Sequence, residues 1–319
     1  MRVTNEMLTS NFLYDLNNNL QNMQNIQQQM STGNIINKAS DDPLGASKVM
    51  QINTELAQNQ QYKTNISGTT DWLNATNTSL DQVNSVLQRV QELLVSSSDA
   101  AYGSDELKSI KDEVNQNVSQ LTQVLNTSYD GQYIFGGTGT SNKPVGTSTT
   151  AGGDTTLNYL NPDGTTAATA PTTQNNSLNV EISEGVTTKY NITAKDVLQF
   201  NNNSGTAIDL RTTFQNIIND LNANPPNTNG LMSTDLSNIK DAINNNSQLL
   251  TNVGAMQNRM QAAQTENQSE NTNLTDVLSK TDDVDMAQAT MTYSSAQTVY
   301  MASLQTSAKI LQPTLLDYL

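Results

Sequence analysis

The chain has 319 residues, of which 35% are hydrophobic, 5% aromatic and only 14% charged; Asn, Gln, Ser and Thr fill the gap, which fits an elongated, surface-rich architecture better than a compact enzyme. Thirty acidic against 15 basic residues leave a net charge of −15, which argues against nucleic-acid binding, since that needs clustered Lys and Arg. With no Cys and no His, disulfides, Cys/His zinc sites, cysteine nucleophiles, Ser-His-Asp triads and HExxH metallohydrolysis are excluded together.

The opening Met1-Arg2-Val3-Thr4-Asn5-Glu6 lacks an apolar core and a small-residue cleavage site, and no apolar run approaches a membrane span. No cleavable signal and no membrane insertion are therefore expected. From Phe12 the apolar positions Phe12, Leu16, Leu20, Met23, Ile26 and Met30 follow a spacing of threes and fours that predicts a helix, ended by Gly33. Ser40-Asp41-Asp42-Pro43 then reads as an N-cap followed by Pro in the first turn of the next helix.

That helix is long. Ile52, Asn59, Ile66, Leu73, Leu80, Leu87 and Leu94 stand seven apart, with Leu56, Val83 and Val90 between them, so Leu44 to Val95 predicts a coiled-coil helix on the order of 75 Å long. Ser96 to Gly103 breaks the pattern. Ser104-Asp105-Glu106 restarts it with Leu107, Ile110, Val114, Leu121 and Leu125. Composition shifts at Gly131 to a Gly-, Thr-, Ser- and Pro-rich stretch over 136–177, in which Leu157-Asn158-Tyr159-Leu160 is a scattered strand candidate.

Two alternating runs follow, Leu178, Val180, Ile182 and Val186, Thr188, Tyr190, Ile192, joined by Ser183-Glu184-Gly185 as a hairpin turn. Helix returns over Ile208–Leu221 through Leu210, Phe214, Ile217 and Leu221. Pro225-Pro226 and Asn229-Gly230 interrupt it. A second long helix is expected from about Ser233 to Ser279, on the stripe Ile239, Ile243, Leu250, Val253, Met260, Leu274 and Leu278. Asn246, Gln257, Gln264 and Asn267 occupy polar seam positions that weaken a coiled coil but help fix its register. Asp282-Asp283-Val284-Asp285 caps a last helix carrying Tyr293, Ala296, Tyr300, Leu304, Ala308 and Leu311, with Leu315 beyond Pro313. The fold class is thus mainly α: an elongated antiparallel helical rod or coiled-coil bundle with paired N- and C-terminal helices and a small β-rich inserted domain.

Charge is scarce at both ends. Residues 1–37 carry Arg2, Glu6 and Asp15, and residues 286–319 carry Lys309 and Asp317. A solvent-facing helix normally interleaves charges on its outer face. Uncharged outer faces suit packing on several sides, as inside an assembly, although the two helices could equally pair to close the monomer's own bundle or order only on assembly.

No catalytic chemistry is expected. Gly136-Gly137-Thr138-Gly139-Thr140-Ser141-Asn142-Lys143 fails the GxxxxGK[ST] spacing, and Pro144 stands where a phosphate-binding helix should start. The carboxylates Asp41, Asp42, Asp282, Asp283 and Asp285 each precede a helix, where capping explains them, and neither group matches an EF-hand loop. Trp72, beside seam residue Leu73, reads as packing. Catalytic residues, metal ligands and cofactors are all expected to be none.

Five segments in order carry a family resemblance: Gln29-Met30-Ser31-Thr32-Gly33; Ser40-Asp41-Asp42-Pro43; Asn65 leading to Asp71-Trp72-Leu73; Gly131-Gln132-Tyr133-Ile134-Phe135-Gly136-Gly137; and, at the C-terminal side, Asp283-Val284-Asp285-Met286-Ala287 with the ending Leu315-Leu316-Asp317-Tyr318-Leu319. With them the chain resembles the flagellar axial proteins of the flagellin superfamily, and within it the hook–filament junction (hook-associated protein 3) family, over about 1–140 and 205–319. Flagellins typically show Ala-Lys-Asp-Asp-Ala-Ala-Gly where this chain has Ala39-Ser40-Asp41-Asp42-Pro43, and they tend to lack the Asp-Tyr-Leu ending.

The resemblance implies three layers: terminal axial helices 1–40 and 284–319, a helical rod of 41–138 and 205–283, and a β-rich outer insertion 139–204. It implies a non-enzymatic adaptor in the extracellular flagellum, exported without a cleavable signal through the flagellar type III channel with a dedicated export chaperone. As partners it implies hook-associated protein 1, flagellin and copies of itself in a ring. The expected assembly interface is Phe12, Leu16, Leu20, Met23, Ile26 and Met30 against Tyr293, Ala296, Tyr300, Leu304, Ala308, Leu311 and Leu315. A minor flagellin, or a secreted coiled-coil module binding through its β tip, are the rival readings.

Overall fold

The computed structural model describes residues 5–97, 103–150, 152–202, 204–223 and 226–310. In chain order it contains helices α1 (Asn5–Thr32), α2 (Pro43–Ser97) and α3 (Ser104–Leu125), and a β-rich stretch follows. Strands β1 (Ser128–Tyr129) and β2 (Gln132–Tyr133) form a first hairpin; β3 (Val145–Thr149), β4 (Thr155–Leu160) and β5 (Thr166–Ala167) form an antiparallel sheet in that order. Strands β6 (Asn179–Ser183) and β7 (Val186–Lys189) pair next, and the short helix α4 (Ala194–Leu198) leads into the hairpin β8 (Gln199–Asn201) and β9 (Ala207–Asp209). Helix α5 (Leu210–Asn222), the single turn α6 (Thr228–Gly230), a π turn (Leu231–Asp235), α7 (Leu236–Asp282) and α8 (Met286–Ile310) complete the chain. The mainly α class with an inserted β-rich stretch is the one expected.

The chain divides into two compact units, residues 1–60 with 269–319 and residues 61–268. In the second unit the seven-residue seam of α2 is the spine of the core: Ile66, Leu73, Leu80, Leu87 and Leu94 are all buried. Burying one such side chain contributes about 1.5–3 kcal/mol. The polar seam positions of α7 set its alignment against α2, as Asn246 Nδ2 donates to the backbone oxygen of Leu80 at 2.9 Å and Gln257 Nε2 to Asn74 Oδ1 at 2.9 Å. In the first unit the same seam continues through buried Ile52 and Asn59.

The β-rich stretch does not stand apart from the helices of its unit. Leu157 and Tyr159, at alternate positions of β4, join one apolar cluster with Val114, Val118 and Leu121 of α3 and Leu210, Phe214 and Ile217 of α5. Two asparagines fasten the sheet to α3: Asn115 Oδ1 accepts from Thr155 N at 2.8 Å, and Asn126 Nδ2 donates to the Val145 oxygen at 2.8 Å. The β6–β7 hairpin turns at Glu184-Gly185 as expected, with Ser183 paired to Val186 and Gly185 at φ 69°.

The structure corrects one boundary. The helix expected from Ile208 begins at Leu210, because Ala207–Asp209 pairs with Gln199–Asn201 and Asp209 then caps the helix by accepting from Arg211 N. Short α4 carries a full capping box between Thr193 and Asp196, a local signal not used in the sequence reading. Trp72 is packing, as expected: it is buried edge-on against Tyr129 and Tyr190, with ring centroids 6.4 and 5.9 Å away. Gly137, in the glycine-rich run, has φ 62°, and a Cβ there would lie 2.5 Å from the Thr173 oxygen. Close packing of two backbones explains that glycine without a phosphate.

Candidate assembly surface

Within the first unit, α1 and α8 lie side by side. Phe12, Leu16, Met23, Ile26 and Met30 of α1 are half-buried, as are Tyr293, Ala296 and Tyr300 of α8. Between the helices runs an open groove lined by Phe12, Leu16, Asn19, Ala296, Val299 and Ser303, among others. Asn19 Nδ2 donates to the Ala296 oxygen across it at 3.5 Å, a long contact. The remaining residues of the expected interface are not drawn into this contact: Leu20 is 36% exposed, Leu304 43% exposed and Ala308 exposed. Leu311 and Leu315 lie outside the described residues.

Further apolar side chains of the pair are exposed: Leu13, Tyr14, Met291 and Met301, Tyr14 and Met291 by two thirds (68% and 67%). The sequence reading missed these because they fall off the three-and-four stripe; the scarcity of charge was the available signal. Over its 28 residues α1 carries only Glu6 and Asp15, and over its 25 residues α8 carries only Lys309. Apolar side chains without intervening charge mark a surface suited to further burial, worth about 1.5–3 kcal/mol for each large side chain covered.

An elbow ties the end of α1 to the start of α8. Gly33, at φ 80°, ends α1, its N–H donating to the Gln29 oxygen at 2.8 Å. Its own oxygen accepts from Val284 N at 2.9 Å; Ile35 N donates to the Asp282 oxygen at 2.5 Å and Ile36 N to Asp282 Oδ1 at 3.0 Å. The acidic clusters act as caps. Asp42 Oδ1 accepts from Leu44 N and Gly45 N ahead of α2, and Asp285 Oδ1 accepts from Ala287 N and Gln288 N ahead of α8. Asp282 departs from that reading: it is buried and receives a backbone amide from the other end of the chain.

Among the described residues no group of three His, Cys, Asp or Glu could hold a metal ion, and no helix is long and apolar enough to cross a membrane. Two tyrosines of the β-rich stretch, Tyr159 and Tyr190, are occupied in packing. Tyr159 is fully buried with the Arg211 guanidinium 4.3 Å above its ring, and burial pushes its hydroxyl far above the ordinary value. Tyr190 packs on Trp72, and burial raises it as well. Burial would raise the Asp209 carboxyl, but hydrogen bonds from Arg211 and Gln199 outweigh it and hold the group low.

Comparison with known proteins agrees with a helical pair built from both chain ends. The flagellar hook-associated protein 3 of Salmonella typhimurium is 28% identical over 145 residues, 45% of this chain and 46% of that protein. Its counterpart of the same name in Escherichia coli is 29% identical over 145 residues, again 45% and 46% of the two chains. The chain thus spans about half (46%) of the length of these curated relatives. Among solved structures, a putative flagellar hook-associated protein from Vibrio parahaemolyticus superposes with a TM-score of 0.61 at 18% identity, over 76% of this chain and 100% of that one. That likeness is one of fold. The model of the bacterial flagellin N-terminal helical region matches residues 3–140, and that of the C-terminal helical region matches residues 236–319. With well over half of its length matched by these two regions, the chain belongs to the bacterial flagellin family of structural flagellar proteins.

Proposed function

We propose that this protein is a non-enzymatic structural adaptor at the hook–filament junction of the bacterial flagellum, joining hook-associated protein 1 to flagellin as a ring of identical subunits outside the cell. The observation that carries this reading is the α1/α8 pair, whose exposed faces combine large apolar side chains with almost no charge. Such a pair loses apolar exposure when neighbours close on it, and few ions have to be desolvated. The similarity to hook-associated protein 3 over the matched half directs the reading to the junction rather than to the filament.

On this reading residues 1–40 and 284–319 form the axial layer, 41–138 and 205–283 the helical layer outside it, and 139–204 the outermost layer. Export proceeds through the flagellar channel, with a dedicated chaperone in the cytoplasm. The assembly surface is the half-buried Phe12, Leu16, Met23, Ile26 and Met30 and the exposed Leu20 of α1, with Tyr293, Ala296, Tyr300, Leu304 and Ala308 of α8, together with Leu311 and Leu315.

Immunogold labelling of intact flagella tests the position: a single short band at the hook–filament boundary is expected, whereas label along the filament would make the protein a flagellin. Leu304→Asp tests the surface. Because Leu304 is 43% exposed in the single chain, the variant should fold normally yet fail to support filament attachment, since assembly would bury an unpartnered carboxylate. Normal filaments in that variant would refute the assignment of this surface.

A further inference from the structure

Asp235 is a carboxyl group in an environment that does not suit its charge. It ends the π turn Leu231–Asp235, is 2% exposed, and its Oδ2 has no hydrogen-bond partner. It lies among Leu231 and Leu236 of its own segment, both buried, where the turn packs against α5. Ile217, Ile218 and Leu221 in the second half of α5 are buried as well.

The charged groups around it do not compensate. Helix α5 brings Asp220, whose negative charge acts on Asp235; the other charged residue of α5, Arg211, is paired with Asp209 at the opposite end of the helix. Turn α6 carries no titratable group, and α7 brings Lys240 and Asp241 only beyond its first turn. Asp220 is itself part of the fastening: its Oδ1 accepts from Asn227 Nδ2 at 3.1 Å, its backbone oxygen accepts from Asn227 N at 3.0 Å, and Asn227 Oδ1 accepts from Gly230 N at 3.1 Å. One chain of hydrogen bonds thus runs from the end of α5 to the entry of the π turn. Isolated π turns are rare and concentrate at functional positions.

We propose that the π turn is a pH-operated latch on α5, closed while Asp235 holds its proton and loosened when Asp235 ionises beside Asp220. In the closed turn, burial first and the charge of Asp220 second push the Asp235 carboxyl up from 3.8 to about 7. The closed form binds the proton more tightly than the open form, so closure is strongest below the open-state value of 3.8. It weakens progressively up to the closed-state value near 7 and is constant above it. The opening equilibrium rises about tenfold per pH unit across that window. The occupant of the site is a proton, and the device is a local loosening rather than global unfolding.

Hydrogen exchange read by mass spectrometry on the full chain tests this, following peptides over 227–236 from acid to mildly alkaline pH after correction for intrinsic exchange. Protection in the wild type should fall about tenfold per pH unit up to near neutrality and then level off. Asp235→Asn should abolish the dependence and stay protected throughout. Asp220→Asn should lower the pH at which the fall levels off, because it removes the repelling charge. A wild-type profile without pH dependence would overturn the proposal, as would an unchanged profile in Asp235→Asn. Peptides from the α2 seam around Leu73 serve as the internal reference: a parallel pH-dependent loss there would show global unfolding and would equally overturn a local latch.

Discussion

Asn246 lies at a core position of the second unit, 1% exposed, with Nδ2 donating to the Leu80 oxygen and Oδ1 without a partner. Asn246→Leu keeps the branching of the side chain and makes both branches apolar. The lost hydrogen bond costs about 0.5–1.5 kcal/mol, and the Leu80 oxygen, inside α2, keeps its helical donor. Removing the unsatisfied Oδ1 returns about 1–3 kcal/mol of desolvation, and the added apolar burial contributes about 1.5–3 kcal/mol. Against these stands packing strain of about 1–3 kcal/mol, because a methyl group cannot approach the Leu80 oxygen to the 2.9 Å that the amide nitrogen reaches. The favourable terms win, and the variant should be more stable by about 1–2 kcal/mol, at the expense of the register control a buried Asn supplies. Urea denaturation followed by far-UV circular dichroism and by the fluorescence of Trp72, which lies in the same unit, measures the difference. Asn246→Ala loses the same hydrogen bond without adding apolar contact and should fall well below the Leu variant. A Leu variant less stable than the wild type by 1 kcal/mol or more would refute the reasoning, since the amide would then be contributing more than the hydrogen bond to Leu80.

Asp285→Ala removes the side-chain acceptor for Ala287 N and Gln288 N. It should cost α8 about 1 kcal/mol, read as faster hydrogen exchange confined to its first turn. Leu73→Ala, at a fully buried seam position, should cost about 3–5 kcal/mol and lower the urea midpoint of the second unit, because the surrounding core can collapse only partly into the cavity.

The features legible in the sequence were those written in short-range pattern. The seven-residue repeat from Ile52 to Leu94 names residues that are all buried, because helical periodicity alone puts them on one face. The caps at Asp42 and Asp285 and the turn at Gly185 follow from the chemistry of one to three neighbouring residues. The stripes of α1 and α8 were visible too: of the α1 positions all but Leu20 are half-buried, and in α8 Tyr293, Ala296 and Tyr300 are, whereas Leu304 and Ala308 stay exposed. Composition alone removed His- and Cys-dependent chemistry.

Other features were decided by tertiary contact. Nothing local distinguishes Asp282 from Asp285, yet one takes the amide of Ile36 from 246 positions away while the other caps the helix that follows it. Strands β3 to β5 are Thr-rich, and their alternation is too weak to register until Leu157 and Tyr159 meet α3 and α5. Tyr159 is core only because Arg211 and the α5 face close over it. Asp235 is a surface-type residue by composition, and its burial follows from the π turn against α5. Periodicity states which residues share a face; what that face meets depends on residues far along the chain, and that meeting sets which polar groups lose their water.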